Sequence, residues 1–467
     1  MSQGPLPQAQ PAGFGGVDLG KVERQLEKEE ALFESAHPRS KHLYERGLRC
    51  FLYGAPMHWM QQWPGSYPIS VAEAQGAHLL DVDGNDYVDF ALGDTAAMFG
   101  HSNPVVVEAI AARLSRGATM MLPTEDGVWV GEELARRFGL PYWQVTTSAT
   151  DANRFIIRLC RMITGKEKIV VFNWNYHGSV DETQVELDDT GSMVPRSGVH
   201  PNAMHHEQVT RLVEFNDVAG LEEALGHGDV ACVLTEPILT NIGMVPALPG
   251  YHDELRRLTR KHNVPLVIDE THTISTGPGG YTGAHGLEPD FFVLGKSLAG
   301  GIPVAVWGTS QEMARRIWSV LPHFRPGEPI NHFGFGGTLA GSALQMAAVR
   351  ATLEQVMTDE AFAHMVRLAE RMETGIREIL GRRGLPWHVT RIGARVEYLF
   401  SPLPPRNGGE AHRARHTLLE AYIHLYLLNR GVLLTPFHNM ALMCPFTTDA
   451  DVDLHDRALD SCLEEIA

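Results

Sequence analysis

A chain of 467 residues, 44% hydrophobic and 20% charged, has an ordinary globular composition, and its length suggests two or three domains with volume for a buried core and an internal pocket. The formal charge of −17, from 39 basic against 56 acidic residues, opposes nonspecific nucleic-acid binding, and no basic cluster offsets it. No apolar run approaches the roughly 18 residues that span a membrane, and the five cysteines (Cys50, Cys160, Cys232, Cys444, Cys462), with no CxxC pair, read as reduced intracellular thiols.

The opening "MSQGPLPQAQPAGFGG" has neither a basic n-region nor an apolar h-region. Residues 1–18 read as a flexible tail, and the protein is expected in the cytoplasm. "LGKVERQLEKEEALFES" reads as a charged helix, and "HLLDVDGNDYVDF" as a β-hairpin turning at Asp83-Gly84. Together these make an N-terminal segment, 19–95. Residues 96–350 alternate amphipathic helices such as "NPVVVEAIAARLSRG" with the short apolar runs "EKIVVFN", "VACVLTEPI", "PLVIDET" and "DFFVLG". That is the βαβ pattern of a large domain on a mostly parallel sheet covered on both faces. Residues 351–467, with the strand-like "RVEYLFS" and the helix "HRARHTLLEAYIHLYLLNRG", read as a smaller α+β C-terminal domain. The 23 histidines are scattered without zinc-type spacing, so no metal site is expected.

Within "FFVLGKSLAGGIPVAVWG", Lys296 is the single charged residue of an apolar, glycine-rich run. It reads either as a lysine snorkelling from a strand end or as a buried amine kept nucleophilic for Schiff-base chemistry. Asp269 ends the apolar strand of "LVIDETHT", where the carboxylate faces the crevice of a parallel sheet. Asp269 and Lys296 on successive strands match an anion for the ring nitrogen of pyridoxal 5'-phosphate and an amine for its aldehyde. Thr147, Ser148 and Thr150 precede a helix beginning near Asp151, the setting of a phosphate site or of an ordinary N-cap. Tyr176-His177-Gly178 follows another strand, where an aromatic face stacks on a flat cofactor or packs in a loop. Gly336-Gly337-Thr338 is a second phosphate candidate, or a glycine turn with a Thr cap.

The set Ser148-Ala149-Thr150-Asp151-Ala152, Tyr176-His177-Gly178, Glu236-Pro237, Asp269-Glu270, Lys296 and Gly336-Gly337-Thr338 resembles the class III aminotransferase family, from about residue 40 to the C-terminus. "TEPILTNIGMVPALPGYHDELRRL" and "DVDGNDYVDF…GH" are most similar to the glutamate-1-semialdehyde aminomutase branch and its relatives. The resemblance implies a fold-type I enzyme on a sheet of the seven-stranded type, with pyridoxal 5'-phosphate as cofactor. It implies Lys296 as Schiff-base lysine and general acid/base, and Asp269 as partner of the pyridinium. Ala149 and Thr150, with Ser148, would hold the phosphate, and Tyr176 would stack on the ring. His177, Glu236 and Asn241 would sit beside the cofactor, and His272, where relatives often carry Gln or Met, would face its phenolic oxygen. Thr338 would reach a phosphate in the neighbouring subunit, making a homodimer part of the active site.

Three departures from the aminomutase branch bear on substrate. Where that branch has an early-loop Arg for the substrate carboxylate, this chain has "FLYGAPMHWMQQWPG", with His58, Trp59 and Met60 suggesting an aromatic pocket. "TPFHNMALM" has no gating acid, and "TISTGPGG" lacks a Phe-Arg. The expected activity is therefore ping-pong transfer of an amino group from an amine or ω/β-amino acid to a keto acid or aldehyde. The alternatives are an aminomutase of the glutamate-1-semialdehyde type, a racemase, a silent homologue or a cofactor-free lyase. Arg395 is a candidate for the acceptor carboxylate, with Glu236 balancing it.

Overall fold

The apolar runs of the middle of the chain become neighbours in a single sheet. The computed structural model describes residues 13–200, 204–321, 327 and 334–467. Seven strands, β1 (Tyr142–Thr146), β2 (Lys168–Phe172), β3 (Thr210–Val213), β4 (Val230–Thr235), β5 (Leu266–Asp269), β6 (Phe291–Leu294) and β7 (Ala305–Thr309), lie in the order β3-β2-β4-β5-β6-β7-β1. Only β7 runs antiparallel to its neighbours. The architecture is α/β, with the large, mostly parallel sheet expected from sequence.

Both faces of this sheet are covered, which is why its strands are apolar without alternation. In β6, Phe291 and Val293 join a cluster with Ile156, Val171 and Trp307, while Phe292 and Leu294 point the opposite way, towards Val306 and Leu298. The helix after β1, Ala149–Thr164, buries Ala152, Ile156, Leu159 and Cys160 along one stripe. It starts where the Ser148 hydroxyl accepts from the Asp151 N–H at 3.2 Å, and it ends at Gly165 in the left-handed conformation.

The hairpin strands Val71–Gln75, His78–Asp81 and Asp86–Asp89 are joined by Val432–Leu433 from near the C-terminus, with Val432 opposite Val88 in parallel. The helix Leu19–Ala36 packs on Thr417–Leu428, and Arg430 pairs with the buried Glu29 at 2.9 Å. The N-terminal segment and the C-terminal part thus share one sheet, a non-local pairing that the separate segments read from sequence do not contain. A second, three-stranded sheet (His388–Ile392, Arg395–Leu399, Met440–Leu442) is backed by the helix Asp359–Arg383, on which the helix Asp449–Ile466 packs in turn.

Two local expectations are corrected. Residues 13–18, read as part of a flexible tail, form a small antiparallel ladder in which Phe14 meets Phe400 and Val17 is buried; residues 1–12 lie outside the described residues. The helix after Gly336-Gly337-Thr338 is not capped by Thr338: it begins at Ala343, where Ser342 and Gln345 form a reciprocal capping box. No helix among the described residues is long and apolar enough to cross a membrane.

Candidate active site

Asp269 closes β5 and Lys296 stands just past the end of β6, so adjacent parallel strands deliver both to the same edge of the sheet. A cavity of about 300 Å³ opens there, walled in part by Ser148, Thr150, Tyr176, Asp269, His272 and Lys296. Asp269 is buried. Its Oδ2 accepts from Asn153 Nδ2 at 2.9 Å and meets His177 Nδ1 at 3.0 Å, and its Oδ1 accepts from the Thr271 N–H at 3.1 Å. Burial pushes the carboxyl up, but the hydrogen bond and charge of His177, with help from Thr271 and Asn153, more than reverse this and hold it below the ordinary carboxylate value. The site therefore keeps a fixed anion at its floor. His177 serves it from behind: its ring is fully buried against Asp269 rather than on the cavity wall.

Another part of the cavity wall is built from the start of the helix Ala149–Thr164. First-turn N–H groups have no intrahelical acceptor, and the dipole end is positive, so this terminus suits a phosphate. Thr147 and Ser148 hydroxyls both donate to Asp151 Oδ2 at 3.0 Å, which fixes the turn, while Thr150 Oγ1 accepts from the Ser179 N–H at 3.2 Å. Gly178 (φ +74°) makes this approach possible, because a Cβ there would lie 2.0 Å from Thr150 Oγ1.

Lys296 has φ 58° and ψ −79°, a backbone state that L-residues rarely adopt. Its Nζ donates to Asp94 Oδ2 at 2.5 Å and lies 2.8 Å from His272 Nε2. His272 Nδ1 meets Thr95 Oγ1 at 3.0 Å. Burial, and then the Lys296 charge, push the His272 ring well below its ordinary value, so it is neutral at pH 7. Asp94 is the residue that sequence reasoning missed: "ALGDTAAMFGH" carries no strand or helix pattern that would have aimed it at Lys296.

The remaining expected residues are spread over several layers. Tyr176 lies on the wall beside Glu236, and its N–H donates to Glu236 Oε1 at 3.3 Å. The other Glu236 oxygen takes the Thr240 N–H at 3.1 Å and the Thr240 hydroxyl at 2.5 Å, so Glu236 acts on Arg395 through its charge and not through a direct ion pair. Burial, with the nearby Asp269 charge adding, raises Glu236 above the usual carboxyl value. Asn241 follows on the same loop, half-buried and not on the cavity wall. Arg395 is only 1% exposed and stands behind the wall, with Nε on the His272 carbonyl at 3.1 Å and on Ser275 Oγ at 2.9 Å. Trp59 and Met60, on a short 3-10 turn, are 38% and 40% exposed. Trp59 packs edge-on against Phe437 rather than lining the cavity. Thr338 is exposed and away from the cavity of its own chain.

An ionised aspartate, a helix terminus with a glycine-made recess and a lysine amine, all lining one cavity, fit pyridoxal 5'-phosphate, which presents a basic ring nitrogen, a phosphate and an aldehyde. Comparison with known proteins agrees. Residues 59–463 match the model of the family described as aminotransferase class-III. A glutamate-1-semialdehyde 2,1-aminomutase of Desulfitobacterium hafniense is 32% identical over 397 residues, 83% of this chain and 89% of that protein. A lysine-to-alanine variant of a glutamate-1-semialdehyde-aminomutase from Pseudomonas aeruginosa PAO1, solved in complex with PMP, is 67% identical with a TM-score of 0.96, covering 97% of this chain and 100% of that one. An omega-transaminase from Sphaerobacter thermophilus is 25% identical with a TM-score of 0.81, covering 91% and 97%. The chain belongs to the class III aminotransferase family, and its cofactor is pyridoxal 5'-phosphate.

Proposed function

We propose that this chain moves an amino group within a single molecule, as an aminomutase of the glutamate-1-semialdehyde type. The observation that carries the reading is the 67% identity, across almost all of both chains, to the Pseudomonas aeruginosa protein of that name. When bound, pyridoxal 5'-phosphate supplies an aldehyde that captures the amine and a ring that takes up the electrons of a breaking C–H bond. In this reading Asp269, kept ionised by His177 and Asn153, pairs with the protonated ring nitrogen. Ala149 and Thr150 would hold the phosphate, Tyr176 would flank the ring, and Lys296 would carry the proton between the substrate carbon that bears the nitrogen and C4′ of the cofactor, first one way and then the other.

Transfer between two molecules, as in an aminotransferase, has one observation of its own. Among the described residues the cavity wall holds no cation besides Lys296, and Arg395 is buried behind it, so an arginine clamp for the aminomutase's substrate carboxylate is missing from this face. A homodimer belongs to either reading: exposed Thr338 and Leu339, with Met121 and Leu122 also exposed, offer the face on which a second copy would receive the Thr338 hydroxyl. Free cysteines, four of the five buried, agree with a cytoplasmic setting.

The deciding experiment gives the purified holoenzyme glutamate 1-semialdehyde without any added carbonyl acceptor. Isomerised product formed at many turnovers per site supports the mutase. Turnover that begins only when pyruvate, 2-oxoglutarate or an aldehyde is added to an amine donor overturns it in favour of the aminotransferase.

A further inference from the structure

Asp94 reaches Lys296 through a stretch of backbone that few sequences tolerate. Leu92, Gly93, Asp94 and Thr95 have φ of 46°, 56°, 50° and 84°, four consecutive residues in the left-handed half of conformational space, only one of them glycine. Leucine and threonine are rarely found there, and such strain persists only where the surroundings over-determine it. Here they do. The N–H groups of Ala91 and Leu92 both donate to Asp89 Oδ1, at 2.8 and 2.9 Å, and His101 Nε2 lies 2.7 Å from the other Asp89 oxygen. At the far end, Thr95 Oγ1 is gripped by the Arg395 guanidinium and by His272. Lys296 is itself left-handed. Two strained segments therefore meet at a single contact, the ion pair between their side chains.

That contact is chemically one-sided. Asp94 is the only anion paired with Nζ among the described residues, and its second oxygen, Oδ1, is buried without a hydrogen bond. Asp94 lies in a run of turns, but its carboxylate caps none of them: its one hydrogen bond among the described residues is to Lys296 Nζ. We propose that Asp94 is a catalytic residue whose carboxylate holds positive charge on the Lys296 nitrogen, so that the linkage between this lysine and the cofactor stays protonated through the working pH range. A protonated linkage is the electrophile that an incoming amine attacks, and the unprotonated one is not. Burial pushes the Asp94 carboxyl up, but the Lys296 charge and hydrogen bond act against it and the carboxyl ends well below its ordinary value, so the anion is present whenever it is needed. The other titratable or charged groups facing the pair are His272, His438, Tyr176, Arg395 and, through His272, Asp269. None of them is an anion in contact with Nζ.

The test is a pH titration of the visible absorbance of the loaded enzyme, in which the protonated linkage absorbs at longer wavelength than the unprotonated one. Asp94→Asn removes the charge but keeps the size, and asparagine tolerates left-handed backbone. The expected result is a fall of the midpoint by roughly one to two pH units, the scale of losing one close, partly buried charge, with Asp94→Glu restoring part of it. A midpoint within about 0.3 of wild type, at the precision such titrations resolve, overturns the proposal. If the Asn variant does not load cofactor, the same titration of Asp94→Ser, which also lacks the charge, decides: a fall of the midpoint on the same scale supports the role, and a midpoint within about 0.3 of wild type overturns it. The role is common to both readings of the reaction, so a flat titration would remove Asp94 from the chemistry and leave the reaction assignment as it stands.

Discussion

Gly178 shows how one atom too many would disable this site. Of the Tyr176-His177-Gly178 run, sequence reasoning treated the tyrosine as the working member. The structure divides the labour: Tyr176 on the wall, His177 behind Asp269, and Gly178 clearing the space for Thr150. An alanine there faces two penalties, a left-handed φ of +74° and a Cβ 2.0 Å from Thr150 Oγ1. Gly178→Ala should therefore cost about 1–3 kcal/mol of stability. Pushing Thr150 aside should also weaken pyridoxal 5'-phosphate binding by about tenfold or more. Thermal unfolding with and without added cofactor checks both, and an unchanged cofactor-dependent rise in Tm would contradict the second. Asp94 is the contrasting case. The motifs on regular elements were legible because the end of an apolar strand predicts where a side chain faces. Asp94 sits on a loop whose direction is set by left-handed torsions and by Asp89, Arg395 and His272, contacts distant in sequence.

At the scale of elements, legibility followed burial. β2, β4, β5 and β6 are covered on both faces, so they show as unbroken apolar runs. β3 lies at the sheet edge and reads Thr-Arg-Leu-Val, too short and too mixed to stand out. Its anchoring is partly ionic: Arg211 of β3 holds Asp229, just before β4, with two hydrogen bonds of 2.8 and 2.7 Å, and Lys168 of β2 adds an ion pair at 3.4 Å. The hydrogen bonds from Arg211, against a smaller contrary effect of burial and with the charges of Arg211 and Lys168, bring the Asp229 carboxyl down to about 2. A carboxyl lowered in the folded state stabilises the fold above its unfolded value near 3.8 and loses that contribution as pH falls through about 2. Because the pair is partly exposed, solvent screening limits its worth. Asp229→Asn should cost about 0.5–1 kcal/mol in urea unfolding at pH 7 and progressively less on going below pH 3.8. An equal cost at pH 7 and at the lowest pH where the protein stays folded would show that the contribution is not ionic.

Across the whole molecule, Arg395 holds three regions together. From sequence it is a strand residue and a candidate for the acceptor carboxylate; nothing in that reading packs its strand beneath the active site. Pairing between residues hundreds of positions apart leaves no local pattern, and the same holds for Val432 beside Val88. Arg395 belongs to the three-stranded sheet, yet it bonds to His272 O and Ser275 Oγ after β5, to Thr95 of the strained loop, and to Met440 Sδ of its own sheet at 3.3 Å. Burial lowers the guanidinium to about 10, with the charges of Asp94, Glu397 and Glu236 resisting, so it remains a cation at pH 7. Arg395→Ala removes this tie and leaves buried acceptors unpaired, at a cost of about 3–5 kcal/mol in denaturant unfolding. Arg395→Met, which restores apolar volume, should recover part of that loss. In kinetics, a tie acting through Thr95 and His272 disturbs Lys296 whichever substrate is bound, so kcat should fall for every substrate that turns over. A stable variant whose only defect is a raised KM for a carboxylate-bearing substrate would instead make Arg395 a ligand that the site exposes during turnover.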